Sequence, residues 1–328
     1  MLTKYCEPNG TFKKAEVLEF WEKSMFDKEP ARFSWEKEDL QSAVSGKVIS
    51  CDYVLRTPAN FRGQDCASKG AWPVLLFLHG HGEIDRSHWL ESFLTGSQPV
   101  LDAMALENFV IVAPLARSAS GAFLGGDGHQ FDVDAVASLV VNVFEKKLGR
   151  QVDRGRLCVT GYSMGADAAA LLGARYGHSI SAIACFAGKY EAMWSEDWST
   201  SLAAFSSTAV RCYHHADDNY LYAKNTEKFL AWIGTPQGFD RDALPETSEH
   251  TVLVSSWEAL KLGDLRVRLQ VTAFDGGSKA CVLFTMLEEG KKDSARSYHD
   301  CWTLVYSNEE SFGLFKWMLG CRRAAHSH

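Results

Sequence analysis

From residue 48 onward the chain alternates two kinds of hydrophobic pattern. Short, nearly unbroken apolar runs occur at 48–55, 74–78, 109–112, 157–160, 182–186 and 209–213. Between several of them lie longer segments whose apolar residues recur at helical spacing, most clearly 134–147 and 164–176. Runs of this length, with no polar alternation, suit strands buried on both faces. Their alternation with helices predicts an α/β fold with a mostly parallel central sheet and helices on both sides. The pattern becomes less regular after residue 240. Segments 251–255, 265–274 and 281–288 are expected as strands, and Asp275-Gly276-Gly277-Ser278 is a turn that would join the last two in a hairpin. A polar loop is expected at 289–296 and a closing helix at 310–319. Residues 1–45 differ from the rest, because 14–21 and 35–44 have the spacing of short helices separated around Pro30. The expected organisation is an N-terminal helical extension over 1–45 and one catalytic domain over 46–328, with an insertion at 240–278.

Composition narrows this picture without changing it. A chain of 328 residues with 46% hydrophobic content can bury one large core. The net charge of −7 is spread over interspersed acids and bases, so there is no basic stripe to recruit nucleic acid or an anionic membrane. No apolar run approaches the roughly 18 residues of a membrane span. The first residues interleave charges with apolar positions, unlike a secretory signal. Nine cysteines, an odd number with no Cys-x-x-Cys pair, suit a reducing compartment better than a disulfide framework. A cytoplasmic location is expected.

The chemistry is concentrated at abrupt corners. In "RLCVTGYSMGADAAALL", residues 156–172, a buried strand runs through Gly-Tyr-Ser-Met-Gly directly into a run of helix formers. Ser163 therefore stands at a strand-to-helix junction. So sharp a turn leaves no room for Cβ atoms beside the serine, which is why glycines flank it, and it presents Oγ outward with the Met164 N–H alongside. A serine hydroxyl needs a base to become a nucleophile, and the base needs a carboxylate to orient it. In a sheet of this type the partners follow in the order serine, acid, histidine, each just past a strand end. After the strand at 209–213 comes "HHADDNYLY", with Asp217 and Asp218 as the two candidate acids. After the last strand comes "SYHDCW", where His299 fills the position of the base. Upstream, "WPVLLFLHGHGEIDRSHW" ends a buried strand in His79-Gly80, and the backbone of His81 or Gly82 is placed to supply a second oxyanion donor.

Together these segments resemble the α/β-hydrolase superfamily, and within it the esterase branch that includes dienelactone-hydrolase-like, feruloyl-esterase-like and poly(hydroxybutyrate)-depolymerase-like proteins. The similarity covers roughly residues 48–319. "LFLHGHGE" resembles that branch's strand followed by His-Gly-x-Gly-Glu, and "RLCVTGYSMGA" its Arg-x-x-x-x-Gly-x-Ser-Met-Gly-Gly elbow. "YHHADDNYLY" is similar to its His-Gly-x-x-Asp-x-x-Val pattern, which selects Asp218 over Asp217. "YHDCW" followed by "LFKWML" resembles its Gly-His-Asp-x-Trp and closing helix. The chain departs from the branch at Ala166, His215 and Tyr298, each standing where the branch has glycine. The resemblance implies a serine hydrolase of carboxylic esters or thioesters with the triad Ser163, Asp218 and His299. It also implies an oxyanion hole from the backbone of His81 and Met164, a small-molecule ester substrate, and no cofactor or metal.

Two other readings use the same residues. His79-x-His81, with Glu83, Asp85 and His88 nearby and His326-x-His328 at the end, has the residue types of a metal-dependent hydrolase, although Glu83 and Ile84 stand where a metallo-β-lactamase pattern needs Asp-His. The scaffold would also serve a non-catalytic binding protein, since a fold does not fix a function. The glycine-rich segment 118–131 is expected as a pocket wall, and it lacks the Gly-Lys-Ser/Thr of a phosphate-binding loop.

Overall fold

The computed structural model describes residues 32–41, 48–59, 61, 71–84, 87, 101–116, 131–190, 205, 208–218, 220–233, 257–262, 265–273, 281–289, 298–307 and 313–323. The described strands are β1 (Arg32–Gln41), β2 (Val48–Thr57), β3 (Trp72–Leu78), β4 (Val110–Pro114), β5 (Val152–Tyr162), β6 (Ala182–Phe186), β7 (Ala209–His215), β8 (Trp257–Leu262), β9 (Leu265–Ala273) and β10 (Cys281–Glu289). They form one sheet in the order β1-β2-β4-β3-β5-β6-β7-β10-β9-β8. From β4 to β10 neighbouring strands run parallel, while β1 and β2 on one side and β9 and β8 on the other are antiparallel.

Strand periodicity explains why the central runs are apolar throughout. In β3, Val74, Leu76 and Leu78 enter one core while Leu75 and Phe77 enter the other. The first core lies under α2 (Val133–Asn142), α3 (Met164–Tyr176) and α4 (Ala223–Ile233); the second lies under α1 (Ala103–Asn108), α5 (Trp302–Tyr306) and α6 (Leu314–Gly320). With both faces covered, apolar residues are favoured on both sides of the strand. Helix α3 is buried from Met164 to Ala174, and its small residues allow it to lie close against the sheet, where Gly173 meets Ile183 and Phe205.

Most of the expected elements stand where the pattern placed them, including the hairpin of β9 and β10. The segment 251–255 and the bulk of the 289–296 loop lie outside the described residues. The described parts of the 240–278 segment are β8 and β9, which extend the sheet beyond β10.

The helix expected over 35–44 is not formed, because residues 32–41 are strand β1, paired over its whole length with β2. Residues 1–31 of the expected helical extension lie outside the described residues. The misreading has a physical cause. The stretch Glu36-Lys37-Glu38-Asp39 is charged on both faces of the strand, so its two-residue period shows in burial and not in hydrophobicity. Glu36 and Glu38 turn inward, where they pair with Lys147 and Lys146 beyond the end of α2. No helix among the described residues is long and apolar enough to cross a membrane.

Candidate active site

The parallel strands deliver the candidate residues to one edge of the sheet, as expected for loops at carboxyl strand ends. Ser163 sits between the end of β5 and the start of α3, with φ 52° and ψ −121°. Such a positive φ is strained for a residue with a Cβ. It is held by the Ser163 N–H donating to the Phe186 carbonyl at 2.8 Å, and by the first turn of α3 closing on the Ser163 carbonyl. The flanking glycines are sterically required: a Cβ on Gly165 would collide with the Leu78 carbonyl, and one on Gly161 with the Gly165 carbonyl.

Three side chains then meet that lie far apart in sequence. His299 Nε2 is 3.0 Å from Ser163 Oγ, and its Nδ1 is 2.7 Å from Asp218 Oδ2. Asp218 Oδ1 accepts the backbone N–H groups of Tyr220 at 2.9 Å and Leu221 at 3.1 Å. Burial would raise the Asp218 carboxyl, but hydrogen bonds from His214 and His299 and from the Leu221 N–H hold it well below the usual carboxylate range. Its neighbour Asp217 is exposed, and its backbone N–H donates to His215 Nδ1 at 3.0 Å. Of the two candidate carboxylates it is Asp218, the one the family resemblance selects, that meets His299.

The imidazole of His299 packs against two aromatic rings. Trp302 approaches edge-on with ring centroids 5.2 Å apart, and Tyr220 stands at 5.6 Å. Trp302 in turn stacks on Tyr162 at 4.3 Å, which links His299 to the residue preceding Ser163. Two of the three departures from the esterase pattern pack on each other, His215 and Tyr298 having ring centroids 4.4 Å apart. The side chains that fill two glycine positions thus bridge the segments that carry Asp218 and His299.

His81 and Glu83 lie in a short 3-10 turn after β3, and Met164 opens α3. Behind that turn His79 is fully buried, with Nδ1 donating to the Gly80 carbonyl at 2.7 Å and Nε2 accepting the Ala116 N–H at 3.0 Å. Burial lowers its pKa to about 4. Nδ1 carries the proton and the lone pair of Nε2 is taken by the Ala116 N–H, so none is available to an ion. The metal-centred reading therefore fails at His79, whose role is to fasten the turn to the end of β4. Among the described residues no group of His, Cys, Asp and Glu is arranged to hold a metal. Asp85, His88 and the His326-x-His328 end lie outside the described residues, as does the 118–131 segment except for Phe131.

The sequence reading missed two contacts. Asp167 Oδ1, on the first turns of α3, accepts the N–H groups of Lys189 and Tyr190 and ties the segment after β6 to the elbow. His214 reaches the same Asp218 oxygen as His299. Its placement four residues before the acid, in "HHADD", was the available signal.

The strand order, the elbow at the end of β5 and the helices on both faces define the α/β-hydrolase fold. No family model and no curated protein matches the chain. Among solved structures it is similar to a thermostable esterase, with a TM-score of 0.55 and 17% identity over 88% of this chain and 63% of that one. It is also similar to the Pyrococcus horikoshii acylaminoacyl peptidase, with a TM-score of 0.50 and 11% identity over 93% of this chain and 44% of that one. The chain spans less than two thirds of the length of either.

Proposed function

We propose that the chain is a serine hydrolase that cleaves carboxylic esters, thioesters included, through an acyl-enzyme. The observation that carries the reading is the bridge made by His299, 3.0 Å from Ser163 Oγ on one side and 2.7 Å from Asp218 on the other. His299 Nε2 takes the hydroxyl proton as Oγ bonds to the substrate carbonyl carbon, and Asp218 stabilises the imidazolium so formed. The backbone N–H groups of Met164 and His81 bind the developing oxyanion. Collapse breaks the bond to the leaving alcohol or thiol, which departs with the proton from His299. Water, deprotonated by the same histidine, then attacks the acyl group and releases the acid and Ser163. Esters are favoured over amides because an alkoxide or thiolate leaves more readily than an amide anion, so that an amine must be protonated before it can depart. The thermostable esterase and the peptidase share the fold and are compatible with this acyl-transfer chemistry. Cys51, Cys158, Cys185, Cys212 and Cys301 are buried and in no disulfide, in keeping with a cytoplasmic protein.

Labelling with a fluorophosphonate tests this reading. Wild type is expected to give one adduct on Ser163 by mass mapping, and Ser163→Ala and His299→Ala to give none. A folded wild type that takes no label would overturn it.

A further inference from the structure

His214 has no part in the acyl-transfer sequence above, yet it touches the acid directly. It lies in β7, fully buried. Its Nε2 is 2.7 Å from the Leu221 carbonyl and 3.0 Å from Asp218 Oδ2, and its Nδ1 is 2.8 Å from Thr226 Oγ1 on α4. Both neighbours of Nε2 are acceptors, so that nitrogen carries the proton. Thr226, itself fully buried, then donates its hydroxyl to Nδ1 and holds this tautomer.

The contacts around the carboxylate are therefore complete. Oδ1 takes two backbone N–H groups, and Oδ2 takes one N–H from each of two imidazoles. A carboxylate held on Oδ1 alone can still tilt Oδ2 away from His299. The second imidazole on Oδ2 opposes that tilt, and the same N–H pins the Leu221 carbonyl and so the turn that carries Asp218.

We propose that His214 is a positioning residue for the triad acid: its Nε2–H, set by the Thr226 hydroxyl, shares Asp218 Oδ2 with His299 and keeps that oxygen aimed at the base. The proposal rests on the Ser163–His299–Asp218 reading for its kinetic consequence, though not for the hydrogen bond itself. Removing the second donor loosens the aim of Oδ2, and with it the alignment of His299 on Ser163. Catalysis is lost through kcat, because substrate binding does not involve His214.

The test compares full-length wild type with His214→Leu, His214→Gln and Thr226→Val. Circular dichroism first establishes that each variant is folded. The low-field proton resonance of the His299 Nδ1–H, assigned by its disappearance in His299→Ala, reports the bond to Oδ2 without any substrate. In His214→Leu this resonance is expected to shift, because Oδ2 then accepts a single N–H. With p-nitrophenyl acetate as the probe, kcat is expected to fall about tenfold to a hundredfold, as for a small misplacement of a catalytic group. KM is expected to stay within about twofold. His214→Gln, whose carboxamide N–H can reach Oδ2, should recover most of the resonance position and of kcat. Thr226→Val should fall between, and it carries the test if the leucine variant does not fold. A folded His214→Leu with the wild-type resonance and kcat would overturn the proposal, as would a glutamine variant no better than leucine. Absence of a fluorophosphonate adduct on wild-type Ser163 would overturn the hydrolase reading instead, and the resonance would still decide the role of His214.

Discussion

Acidification should unfasten the turn after β3 through a single histidine. His79 is fully buried, donates from Nδ1 and accepts on Nε2, so the folded state holds it neutral down to a pKa of about 4. In the unfolded chain a histidine takes up a proton near pH 6.5. Between those two values the unfolded state binds more protons than the folded state, so stability falls as pH falls through the window from 6.5 to 4. Below pH 4 both states are protonated and the loss levels off. One pH unit inside the window is worth about 1.4 kcal/mol. Lowering the pH from 7 to 4.5 should therefore cost about 2.5 kcal/mol at this site. Other groups titrate over the same range, so the measurement is a difference between wild type and His79→Gln, which cannot titrate. Urea unfolding at pH 7, 6, 5 and 4.5 gives the stability gap between the two proteins. Wild type should lead at pH 7, and its lead should shrink by about 2.5 kcal/mol at pH 4.5. A gap that stays constant across this range would refute the buried, neutral assignment of His79 and with it the argument that excludes it as a metal ligand.

Other perturbations address the elbow and the acid and base loops. Gly165→Ala should destabilise the fold by about 3 kcal/mol, because the new methyl meets the Leu78 carbonyl and neither backbone can retreat; thermal unfolding checks this. Asp218→Asn should leave the fold intact and lower kcat about 10³- to 10⁴-fold at neutral pH, since the carboxamide cannot stabilise the imidazolium. Steady-state ester hydrolysis measures the loss, and activity within tenfold of wild type would count against Asp218 as the acid. A double-mutant cycle with His215→Gly and Tyr298→Gly should give a coupling of about 0.5–1.5 kcal/mol, the value of a packed ring pair. Purely additive losses would show that the two rings do not bridge the loops.

By itself the sequence determined the central strands and the elbow. A strand buried on both faces is mostly apolar, so the cores of β3 to β7 are written as short apolar runs, and the helix after Ser163 begins so abruptly that only glycines fit at 161 and 165. That Ser163, Asp218 and His299 come after strand ends was legible for the same reason. Strand β1 was not legible, because an edge strand that meets lysines on its inner face can be charged throughout and still be paired. Nor did spacing along the chain separate Asp217 from Asp218, or His79 as a fastener from His79 as a ligand. Those assignments depend on which donors and acceptors surround an atom in three dimensions. His299 must cross 81 residues to reach Asp218, and His79 must cross 37 to reach Ala116. Only the tertiary structure brings such groups within hydrogen-bonding distance, and it alone places a second imidazole on the oxygen of the acid.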